Sequence, residues 1–266
     1  MTQSMKIPLT LLISIIVVIM ALMTFRAKSD SRLQTAEETY RRGESASNLS
    51  ERKKAFNESL DLFLQLDSDY HPSFGNGKLS YNIGNTYFQL EEYPQALFYY
   101  KKASALMPRS DVTKRNLIQT EQKLGLQKQP QLSLFSSFLL QPWLSLPERL
   151  QLFFAAAVIT LLFASTWIWT QQRWAWHATV VMLFPFVLLL INLTFTYYLS
   201  PIEAVLLHAV ELRRDAGTEY AKVIKEPIGG GATVEVLGTS PNGKWLKVLT
   251  PEGNLGYVPS EAAKVL

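Results

Sequence analysis

Apolar and polar positions follow three different rhythms along this 266-residue chain. Ile7 to Phe25, Leu150 to Thr170 and Ala178 to Leu199 contain no charged residue. Each is long enough, as a helix, to cross the roughly 30 Å hydrocarbon core of a bilayer. Between Arg32 and Gln127 apolar residues recur at helical spacing among charges of both signs, which predicts a series of amphipathic helices. From Ala204 the rhythm shortens to β-prone runs separated by turn sequences. Ala204–Leu207, Val210–Arg213, Thr233–Leu237, Trp245–Leu249 and Gly256–Pro259 are the expected strands. Pro241-Asn242-Gly243 and Pro251-Glu252-Gly253-Asn254 supply turn chemistry.

The first apolar run, 7–25, reads as a signal peptide or a retained signal anchor. Its length and the poor cleavage sequence Phe25-Arg26-Ala27 favour the anchor. The later two runs are joined by Gln171 to His177, too short for a domain, so 150–199 is expected to form a two-span helical hairpin. Trp167, Trp169, Trp174 and Trp176 bracket the turn and Tyr197 and Tyr198 mark the other end, the pattern of interfacial aromatic belts. Arg173 favours a cytoplasmic turn. A hairpin returns the chain to the side it left, so the regions before Leu150 and after Leu199 then share the periplasm or cell exterior. The first run argues the other way, because Arg26, Lys28 and Arg32 outnumber Lys6. Pro185 and Asn192 could mark a broken transporter helix. With no acid or base inside the spans, Asn192 reads more simply as a hydrogen bond between helices. Residues 128–149 form an apolar linker or an interfacial segment.

Within the helical region, Ser80-x-x-Ile83-Gly84-x-x-Tyr87, Ala96-x-x-x-Tyr100, Ala103 and Pro108 resemble the tetratricopeptide repeat (TPR) pattern. Gly84 and Ala96 lack bulk, so two antiparallel helices can approach; Ile83, Tyr87 and Tyr100 fill their interface; Pro108 stops the second helix. Ser80 departs from the pattern, which prefers Trp. Gly43 and Ala55 repeat the spacing 41 residues earlier, with an inserted loop expected at Ser68 to Gly77. Asp111 to Leu126 is a capping helix in phase through Leu117, Glu121 and Leu124. The TPR domain therefore spans 32–127. Its first helices should line a partner-binding groove. Asn85 and Asn116 stand where peptide-clamping asparagines occur in related repeats, but Tyr81 replaces the lysine of a carboxylate clamp. The plainer alternative makes both asparagines groove residues bonded to neighbouring backbone.

Composition narrows the function. Hydrophobic residues make up 48% and charged residues only 18%, and their segregation fits a membrane protein with soluble domains. Net charge is +4 without a basic stripe, and Lys53-Lys54 and Lys101-Lys102 read as solvated helix faces, so no nucleic-acid partner is expected. The absence of cysteine excludes disulfides and thiolate chemistry. His71, His177 and His208 fall in separate segments, and no catalytic, cofactor or metal motif is present. Gly229-Gly230-Gly231 lacks the Lys-Ser/Thr of a phosphate loop and reads as a flexible turn. No enzymatic activity is expected.

The C-terminal strand order, with Val-x-Val-Leu, Trp-x-Lys-Val and Gly-Tyr-Val-Pro, resembles the bacterial SH3-like domain over 204–266. Trp245 and Tyr257 either line a ligand groove there or fill the small core. The whole layout resembles the BatE-like proteins of bacterial aerotolerance (Bat) operons. That resemblance implies an inner-membrane protein with periplasmic domains, beside von Willebrand A-type Bat membrane proteins and a MoxR-type ATPase. The fold class expected is thus a multidomain membrane protein: an α-helical TPR solenoid, a transmembrane helical hairpin and a small all-β SH3-like barrel. The expected function is a scaffold for protein–protein interaction, or alternatively an envelope sensor that recognises peptidoglycan or a peptide through the SH3-like domain.

Overall fold

The computed structural model describes residues 31–70, 77–126 and 143–266, which form two compact units. The first apolar run, most of the expected inserted loop and most of the linker lie outside the described residues.

One unit combines helices and a sheet. Its helices are α1 (Ser31–Ser45), α2 (Leu49–Tyr70), α3 (Gly77–Gln89), α4 (Tyr93–Leu106) and α5 (Asp111–Lys123), each packed on the next. Two glycines set how closely the pairs approach. A Cβ on Gly43 would fall 2.8 Å from the Phe56 ring, and one on Gly84 would fall 2.8 Å from the Tyr100 ring. Tyr40 packs on Phe56 as Tyr81 packs on Tyr100, with ring centroids 5.2 and 6.0 Å apart. The first helices therefore keep the 41-residue displacement.

The second helices do not. Phe56 follows Gly43 by thirteen residues, whereas Tyr100 follows Gly84 by sixteen. Ala55 and Ala96 are both buried, but the aromatic contacts place their helices one turn out of that alignment. The cause is a shorter hairpin: α1 stops at Ser45, just past Gly43, while α3 continues beyond Gly84 to Gln89. The insertion also shifts, because Ser68 to Tyr70 belong to α2 and Gly77 opens α3.

Helix ends follow local chemistry. Pro108 is buried just past the end of α4. Ser110 caps α5 by accepting from the Thr113 N–H at 3.3 Å. At the far end of α5, Gly125 takes φ +65° and the Leu126 N–H donates to the Glu121 carbonyl at 3.0 Å, a Schellman closure. Glu91 closes α3 in the same way at φ +67°.

The sheet contains β1 (Glu203–Leu206), β2 (Thr233–Thr239), β3 (Trp245–Leu249), β4 (Leu255–Pro259) and β5 (Ala263–Val265), with a 3-10 turn over Ser260–Ala262. All neighbours are antiparallel, in the order β4-β3-β2-β1-β5, and the sheet is not closed into a barrel. The expected strand Val210–Arg213 is not a strand. Val210 bridges Ile228, and Arg213 alone exchanges both main-chain hydrogen bonds with Tyr257, at 2.9 and 2.8 Å. Strand β5 was not apparent from alternation, being only three residues long.

The two parts are not independent. Ala204 and Leu206 face the sheet's own core, whereas Val205 between them is buried in the helical core. That split follows from strand alternation. Lys264 of β5 lies 5.3 and 5.0 Å from the Phe98 and Tyr99 ring centroids of α4. Burial lowers its pKa from the ordinary lysine value, an effect that Asp67 opposes and Lys102 reinforces. Lys101 of α4 pairs with Glu203 of β1 at 3.4 Å. The triglycine is a seam rather than a free turn. A Cβ on Gly230 would meet Pro94 at 3.2 Å, and one on Gly231 would meet Leu124 at 2.5 Å. Gly231 also takes φ +88°, which side chains avoid.

The other unit holds α6 (Leu146–Thr170) and α7 (Arg173–Leu199), packed together as a hairpin. The turn is only Gln171-Gln172, shorter than the expected link, because α7 already begins at Arg173. Gln171 reverses the chain at φ +54°, and Trp167 packs on Trp176 at 4.7 Å across the turn. Helix α7 runs unbroken through Pro185. The Thr160 hydroxyl lies 3.2 Å from the Met182 carbonyl near that proline. Asn192 does link the helices: its Oδ1 accepts from Arg149 Nη1 at 3.2 Å, and Thr196 Oγ1 accepts from the same nitrogen at 2.8 Å. Arg149 is buried one residue before the apolar run that defined the span.

Gly231→Ala combines a strained backbone with a collision against Leu124. It should lower thermal stability of the detergent-solubilised chain by about 1–3 kcal/mol and expose the sheet to proteolysis. Gly253→Ala tests strain alone, since its φ is +84° with no neighbour within 4 Å. A milder loss there, without release of the sheet, isolates the contribution of the seam.

Candidate functional site

The first helices α1 and α3, with α5 beside them, form the face on which a partner site was expected. Asn85, Asn116 and Tyr81 are brought together there, with the buried Tyr100 beneath them. Tyr100 donates its hydroxyl hydrogen to Asn85 Oδ1 at 2.7 Å. Asn116 Nδ2 donates to the same oxygen at 3.0 Å and approaches the Tyr81 and Tyr100 hydroxyls at 3.2 and 3.4 Å. The asparagines thus bond each other and two tyrosines, not neighbouring backbone. Burial, outweighing the Asn116 hydrogen bond, pushes the Tyr100 pKa above the usual phenol value.

This network serves the fold before it serves a ligand. Tyr100 is 1% exposed, and its hydroxyl would lose its acceptor if Asn85 were removed. The remaining structural positions behave as their residue types require. Tyr87 is buried and stacks on Tyr99 at 5.6 Å, while Ala96 and Ala103 are fully buried against neighbouring helices.

Beside the network a cleft of about 270 Å³ opens between α1 and α3. Helix α1 contributes Glu37, Tyr40, Arg41 and Glu44, a stripe at helical spacing. Asn82 and Asn85 form the opposite wall, with Phe63 of α2 also lining it. Burial first, then the Glu44 carboxylate, pushes the Tyr40 phenol up to about 12. Of these residues only Asn85 was expected at the site. The spacing of Glu37, Tyr40, Arg41 and Glu44 was readable in the sequence, but their role depends on α3 lying opposite.

On the sheet, Trp245 pairs with Pro259 and Lys247 pairs with Tyr257. Alternation puts all four on one face, opposite the buried Leu246, Val248 and Val258. Trp245 and Tyr257 are therefore partly buried on the outer face of the sheet and lie outside its core cluster.

Residues 78–110, covering α3 and α4, match the tetratricopeptide repeat family. A TPR repeat is present. No curated protein matches the chain.

Asn85→Ala should destabilise the unit by about 2 kcal/mol by leaving the Tyr100 hydroxyl unsatisfied. Adding Tyr100→Phe should then cost little or restore part of the loss, because the orphaned hydroxyl is gone. A double-mutant cycle by denaturant unfolding measures that coupling; additive losses would refute it.

Proposed function

We propose that this protein is a membrane-anchored TPR scaffold holding protein partners in a cell-envelope complex, without catalytic activity. The carrying observation is the TPR match at 78–110 together with the polar cleft between α1 and α3. TPR repeats are interaction modules, and here the first helices present side chains with hydrogen-bonding capacity around an open concavity.

Anchoring is supported by α6 and α7, of 25 and 27 residues, which are long and apolar enough to cross a membrane. Their outward surfaces carry large apolar side chains, including Phe154, Leu161 and Phe184. The SH3-like reading of 204–266 is supported by the strand order and by the 3-10 turn between β4 and β5. The layout is similar to that of BatE-like proteins, so von Willebrand A-type Bat membrane proteins are the proposed partners. The proposed location is the bacterial inner membrane, with repeat and sheet on the periplasmic or outer side.

A second reading has its own observation. Trp245, Tyr257 and Pro259 share an accessible sheet face, the kind of surface that could bind peptidoglycan or a proline-containing peptide. In that case the protein is an envelope sensor, with the repeats relaying to partners.

Affinity purification from native membranes distinguishes these readings. Asn82→Arg fills the cleft without removing a bond of the Asn85–Asn116 network, and should abolish capture of proteins with von Willebrand A-type domains. Tyr257→Ala should leave that capture unchanged. The reverse result, with loss of sedimentation on purified cell wall in Tyr257→Ala, favours the second reading.

Orientation has a separate test, aided by the absence of native cysteine. A cysteine placed at Asn242 should react with an impermeant maleimide added to cells whose outer envelope has been made permeable. One placed at Gln171 should stay protected until the inner membrane is opened. The opposite pattern inverts the topology.

A further inference from the structure

The chemistry of the cleft specifies its ligand more closely than the TPR match does. We infer that the α1–α3 cleft receives a partner segment carrying a lysine or arginine side chain, held between Glu37 and Glu44. The inference rests on reading this groove as the partner site.

A carboxylate clamp needs cations aimed into the groove. Here the lysine position is Tyr81, whose hydroxyl is already engaged by Asn116. Glu37 and Glu44 stand two turns apart on the wall of the cleft, with the Tyr40 ring between them. Arg41 shares the stripe, which leaves the lining with one surplus negative charge. A terminal carboxylate would meet two like charges there. An ammonium or guanidinium would instead find carboxylate acceptors and an aromatic neighbour.

The opposite wall supplies the rest of a peptide site. Asn85 Oδ1 is occupied by Tyr100 and Asn116, so its amide NH₂ group is what remains to offer. Asn82 lines the cleft with a whole amide, one acceptor and two donors. Together they match the alternating carbonyl and N–H groups of a peptide backbone. A basic side chain reaching α1 and a backbone lying along α3 would satisfy both walls at once.

The test presents the full-length protein in detergent with a library of amide-capped octapeptides randomised at every position. Bound peptides should be enriched in lysine and arginine. Changing both Glu37→Gln and Glu44→Gln should weaken a selected cationic peptide by about tenfold or more. Arg41→Gln should strengthen the same peptide, because it removes the one like charge. These opposite shifts cannot both arise from general misfolding.

Enrichment of acidic or purely apolar peptides that is lost in Asn82→Arg would overturn the cationic ligand yet keep the groove. Enrichment insensitive to Asn82→Arg, or no enrichment, would overturn the groove reading as well.

Discussion

Helix α4 is the element on which the larger unit depends. Leu97, Phe98, Tyr99 and Tyr100 are four consecutive buried residues, with Ala96 and Ala103 also buried. Four successive positions point to every side of a helix, so α4 must be covered all round. One side faces α3, where Gly84 admits the Tyr100 ring. Another meets α5. A further part is covered by the C-terminal sheet, through Val205 and the Lys264 contact with Phe98 and Tyr99, while Lys102 pairs with Asp67 of α2.

That requirement explains why the sheet belongs to the same compact unit as the repeats. An isolated repeat exposing Phe98 and Tyr99 would leave a large apolar patch in water. The sheet has a matching deficit, since Val205 points away from its own small core. Burying that side chain is worth about 1.5–3 kcal/mol, and the half-buried Lys264 adds direction to the contact. The glycines at 230 and 231 then act as clearance, allowing two surfaces to approach where a side chain would hold them apart. A repeat and a sheet joined in this way present the cleft and the Trp245–Tyr257 face on one body.

The groove shows the same division between support and recognition. Asn85 and Asn116 are committed to Tyr100 and Tyr81, and so fix the spacing of α3, α4 and α5. The residues beside them line the cleft, Glu37, Arg41 and Glu44 on one wall and Asn82 on the other, and they are the set proposed to meet a partner. Residues that resemble a ligand clamp by position can be consumed by the fold, leaving a different set to meet the partner.

Local chemistry was legible in the sequence because it depends on near neighbours. The helix pattern, the stop at Pro108, the β3–β4 turn and the two long apolar helices all follow from spacing and residue type. The Gly84–Tyr100 contact was readable for the same reason. Tertiary structure alone decided what those elements face. Burial of the Leu97–Tyr100 run on all sides of α4, and the surface that covers it, came only with the packed structure. Gly231 looked like a turn because its constraint comes from Leu124, more than a hundred residues away. The acidic stripe on α1 became a wall only when α3 stood opposite. Such features arise from contacts between distant segments, which a one-dimensional pattern does not encode.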